Sequence, residues 1–101
     1  FKTHAERIGR EIPPHTNSGT GSTDAGNVSQ VLPTLHAYLQ IDNGARPHTA
    51  EFATAAKSTL GDQTVLDGAK VMASMAAELL TQPELVMQAK QEQGFAWDSF
   101  I

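Results

Sequence analysis

Between Thr34 and Ile41 the chain alternates: Leu35, Ala37, Leu39 and Ile41 share one face, and Thr34, His36, Tyr38 and Gln40 share the other. Period two over eight residues is the pattern of a β-strand with one buried face. It is the only such phrase in the 101 residues. A lone strand cannot satisfy its own backbone N–H and C=O groups, so it needs neighbours from elsewhere. The expectation is therefore a fragment of a larger α/β protein, or a chain that pairs with another.

The remaining phrases are helical or loop-like. "FKTHAERIGRE" reads as a short helix with Gly9 near its C-cap. "IPPHTNSGTGSTDAGN" combines two prolines with glycines and seven Ser, Thr or Asn residues, which is turn chemistry. Thr23 or Asp24 is placed to cap a short helix over roughly residues 26–32, which Pro33 stops. Asn43-Gly44 is a strong turn signal after the strand, and "HTAEFATAAKS" reads as loop with a short helical turn.

From Thr64 to Gln82 the period becomes helical. Val65, Leu66, Ala69, Met72, Ala73, Met75, Ala76, Leu79 and Leu80 form a broad apolar stripe, with Asp62 or Thr64 as N-cap. Pro83 then opens a second helix, Glu84 to about Gln93, at the N1 position where proline is tolerated. The tail "GFAWDSFI" is apolar enough to pack on something. The chain thus divides into a lead-in helix and loop (1–18), a Gly-rich loop, strand and ligand-bearing loop (19–62), two C-terminal helices (63–93) and a tail (94–101), all within one segment.

Composition narrows the function. Seven Lys and Arg stand against eleven Asp and Glu, a net charge of −4 with no basic stripe, which argues against nucleic acid as partner. There is no cysteine, so neither a disulfide framework nor a thiolate metal site is available, and a cytoplasmic setting suits that usage. No apolar run approaches the roughly 20 residues that span a bilayer. The first residues lack both Met and the apolar core of a signal peptide.

Four histidines are the candidates for chemistry. His48, in "ARPHTAEF", follows the strand and turn, where α/β proteins place their ligands. A neutral imidazole suits zinc, yet one histidine cannot hold a metal, and no His-x-His, His-x-Asp or His-x-x-x-His spacing occurs. A surface histidine is the plainer reading. His36, on the polar strand face beside Tyr38, is a further candidate against a hydrogen-bonded structural histidine. His4 and His15 are expected to face water. Glu51 lies three residues after His48, in reach of the same region if the segment is helical. In the Gly-rich loop, successive backbone N–H groups, with the Ser22 and Thr23 hydroxyls, can converge on an anion. A structural turn explains the composition equally well, and neither a Walker A loop nor a dinucleotide fingerprint is present.

Taken together, "GSTDAGNVSQVLPTLH", "ARPHTAEF" and "TVLDGAKVMASMAAELL" resemble the C-terminal part of the M20 family of metallopeptidases and amidohydrolases, nearest to its aminobenzoyl-glutamate hydrolase and aminoacylase-like branch. The resemblance covers roughly residues 19–92. It implies a zinc-peptidase-like α/β catalytic domain with two metal ions, usually zinc, interrupted by a lid domain through which members often dimerise. It implies hydrolysis of amide bonds in small N-acyl amino acid or dipeptide-like substrates. On this resemblance His48 is the last metal ligand, and Gly21, Ser22, Thr23, Asp24 and Asn27 belong to the active-site loop. The family's His-x-Asp pair, its Glu-Glu with the general base and its bridging carboxylate do not occur in this chain, which therefore carries no catalytic residue of its own. The resemblance implies that the remainder of the catalytic domain is a partner and that the isolated segment is inactive. Two other classes stay open: an accessory or interaction domain that keeps the fold without a metal, and a small-anion binding module.

Overall fold

The computed structural model describes residues 1–14, 21–41 and 44–94. Its elements are five helices, α1 (Lys2–Arg7), α2 (Ala25–Val28), α3 (Ala50–Ala56), α4 (Thr59–Thr81) and α5 (Pro83–Gln93). They fall into two compact units, Phe1–Ile12 with Tyr38–Ala76, and Pro13–Ala37 with Ala77–Ile101. None of these helices is long and apolar enough to cross a membrane.

In the first unit, α1 buries Ala5 and His4, with Phe1 and Ile8 half-buried on the same side. These positions recur at helical spacing, so His4 lies on the inner stripe. It does not face water as its polar neighbours suggested. Gly9 ends the helix at φ +84°, in the left-handed region where a Cβ is strained. Its N–H donates to the Glu6 carbonyl (3.0 Å) and the Arg10 N–H to the Ala5 carbonyl (3.0 Å), a Schellman closure. That closure turns the chain at Arg10.

Helix α3 starts at Thr49, whose Oγ1 accepts from the Phe52 N–H at 3.2 Å. It is a full helix of seven residues rather than a loop with one turn. Helix α4 begins earlier than its apolar stripe implies, at Thr59, and neither Asp62 nor Thr64 caps it. Ser58 does: its Oγ accepts from the Gly61 N–H (3.1 Å) and donates to the Ala55 carbonyl (2.6 Å). The corner between α3 and α4 is tight. A Cβ on Gly61 would collide with the carbonyl oxygens of Ala55 and Ala56, so the residue there must be glycine.

The long helix is where expected, but the face it buries is not. Asp67 and Val71 are buried, and Thr64, Gly68, Met75 and Glu78 are half-buried on the same side. Val65, Met72 and Leu80, on the expected stripe, are 71%, 69% and 85% exposed. At 3.6 residues per turn the two faces lie about a third of a turn apart.

In the second unit, α2 is a single turn, Ala25–Val28, which begins one residue before the expected 26–32 span and ends four residues short of it. Helical bonds continue to the Leu32 N–H before Pro33 ends them. Pro83 takes N1 of α5, and Gly94 closes that helix at φ +70°. The Gln93 side-chain amide donates to the Ser29 carbonyl at 2.9 Å, tying the end of α5 to α2.

The strand expected over Thr34–Ile41 is not formed, and there is no strand among the described residues. An α/β fold with few strands is thus not what the described residues adopt; they are helical. Among the described residues no second strand lies beside this phrase to pair with it. Its apolar face is correspondingly open, with Leu35 62% exposed and Leu39 and Ile41 only half-buried. His15, Asn43 and the tail from Phe95 lie outside the described residues.

Two glycines of α4 should respond in opposite directions. Gly61→Ala forces backbone apart at the α3–α4 corner and is expected to destabilise by about 2–3 kcal/mol. A Cβ on Gly68 meets only Leu39 Cδ1, at 3.8 Å, an ordinary contact. Gly68→Ala is expected to stabilise by about 0.5–1 kcal/mol through helix propensity. Urea titrations of the two variants, followed by far-ultraviolet circular dichroism, check the signs.

Candidate functional site

His48 sits between Pro47 and the α3 cap, Thr49, with φ +66°. Proline followed by a residue of positive φ is the arrangement of a type II turn, in which the second central residue is normally glycine or asparagine. Holding histidine there costs about 1 kcal/mol or more. Two contacts of Thr49 fix the turn from behind, its hydroxyl donating to the Arg46 carbonyl (2.6 Å) and accepting from the Phe52 N–H. The imidazole of His48 is exposed. The result is an accessible imidazole on a turn that the Thr49 hydroxyl closes.

Glu51 is exposed in the first turn of α3, where a carboxylate suits the helix dipole. Among the described residues no three His, Asp or Glu side chains cluster closely enough to hold a metal ion.

The Gly-rich stretch belongs to the second unit, as does His36, which is exposed. Gly21, Ser22, Thr23, Asp24 and Asn27 are all exposed. Thr23 shapes the entry to α2, its Oγ1 accepting from the Ala25 N–H (3.2 Å) and its carbonyl from the Gly26 N–H (3.0 Å). Asp24 occupies the N-cap position with no side-chain capping bond. The Ser29 hydroxyl donates to the Gly26 carbonyl at 2.6 Å. The stretch from Gly21 is therefore a shaped turn with its own hydrogen bonds, while Gly19 and Thr20 lie outside the described residues.

The sequence reading missed a polar cluster at the centre of the first unit. Arg10 donates from Nε to Asp67 Oδ2 (2.8 Å), from Nη1 to the Gln40 carbonyl (2.9 Å) and from Nη2 to Thr64 Oγ1 (2.8 Å). Gln63 Nε2 donates to the other Asp67 oxygen at 2.8 Å. The pair is largely enclosed, with side-chain exposure of 16% for Arg10 and 9% for Asp67. Thr64 and Asp67 at i, i+3 on a helix gave a weak cue, but nothing local links them to an arginine 54 and 57 residues earlier.

Over 76 residues, 75% of the chain, it is 37% identical to the human Xaa-Arg dipeptidase and equally to the mouse protein of that name. The matched region spans 17% of the human protein and 18% of the mouse protein. The chain is similar to a segment of a peptidase. No family model matches the chain, and no solved structure matches it. The relatives are peptidases, which agrees with the hydrolase class implied by the M20 resemblance at that coarser level.

Asp67 gives the first unit a pH dependence. The Gln63 amide, then the Arg10 guanidinium, hold its carboxyl below the ordinary value of about 3.9, against the opposing effect of burial. Because the folded value lies below the unfolded one, the carboxylate stabilises fully at pH above about 4. That stabilisation is lost as pH falls through the folded value. Asp67→Asn should be less stable than the parent at pH 7, and the gap should close between pH 4 and the acid limit. Urea midpoints for both proteins across that range test it; a gap independent of pH would rule the assignment out.

Proposed function

We propose that residues 1–101 form the C-terminal part of the catalytic domain of an M20-type, metal-dependent peptidase, and that the complete enzyme hydrolyses amide bonds of small dipeptide-like substrates. The observation that carries this is the 37% identity over 76 residues to the Xaa-Arg dipeptidases. Their name directs the substrate class toward dipeptides with a C-terminal arginine, ahead of aminobenzoyl-glutamate or N-acyl amino acids.

In this reading His48 supplies one ligand of a two-zinc centre. Its exposed imidazole and its turn, held by Thr49, support that role. One imidazole does not make a zinc centre, so the other ligands and the general base belong to residues outside this chain, and no step of hydrolysis runs on these 101 residues alone. Gly21, Ser22, Thr23, Asp24 and Asn27 border the substrate as an exposed turn, with His36 as a further candidate. The exposed stripe of α4, Val65, Ala69, Met72, Ala76 and Leu80, and the alternating phrase at 34–41 support packing on a sheet contributed by the remainder of the domain. The lack of cysteine suits a cytoplasmic enzyme.

The test is hydrolysis of Xaa-Arg dipeptides by the longer gene product containing this segment, with zinc counted by elemental analysis. Activity that chelators abolish is expected. His48→Ala should lower kcat/KM by about 100-fold or more and reduce bound zinc. The 101-residue chain supplied with zinc should show no hydrolysis. An unchanged rate in His48→Ala would remove that residue from the metal site, and a longer protein with neither zinc nor activity would favour the accessory-domain reading.

A further inference from the structure

We draw no further inference here: the strongest candidate, the exposed apolar patch that Val65, Leu66, Met72 and Leu80 form along α4, is the face already given to the remainder of the domain in the proposed function, and nothing in the structure shows what covers it.

Discussion

One guanidinium joins three parts of the first unit. Arg10 is delivered by the Schellman closure of α1, reaches across to two side chains of α4, and takes the carbonyl of Gln40 with its remaining arm. Burying a carboxylate such as Asp67 is unfavourable unless its lone pairs are met. Here both oxygens are met, one by Arg10 and one by Gln63. The buried apolar residues among those described are small, Ala5, Ala55 and Val71, all in the first unit. Directional bonds therefore define how these segments meet, where a larger domain would use packed aliphatic side chains.

Helix α4 carries two faces with different duties. The inner face, Thr64, Asp67, Gly68 and Val71, accepts the polar cluster, with Leu39 against Gly68. Most of the apolar stripe, with Val65, Leu66, Met72 and Leu80 in it, is left to solvent. A helix with this much exposed Leu, Val and Met is ordinarily one with a second layer to cover. The alternating phrase at 34–41 makes the same demand from the backbone side, since a strand exists only beside another strand. Both features fit a sheet contributed by the remainder of a catalytic domain, as the proposed function requires.

Legibility followed the range of the interactions. Gly9, Pro83 and Gly94 act through local backbone geometry, and each stands where a helix starts or stops. The long helix was legible from its period, but its start was not, because Ser58 and Gly61 are set by the collision of α4 with α3, which no periodicity records. The strand was legible as a pattern, and it is unformed because pairing is a property of two segments. His4 was misread because a polar residue among polar neighbours still falls on an inner helical stripe when Phe1 and Ile8 flank it at the right spacing. Arg10 and Asp67 left almost no local trace. Of the candidate site, His48 was singled out by its place after a strand-like phrase and a turn, its ligand role came only from the M20 resemblance, and its backbone conformation was not legible at all.

That conformation bears on what the residue is for. At φ +66° glycine or asparagine would sit with less strain, and nothing about the turn itself calls for an imidazole. Pro47 sets the approach, Thr49 holds the exit, and the ring between them stays exposed. Among the described residues His48 is the one non-glycine residue at positive φ, and the proposed ligand role gives its imidazole a use there.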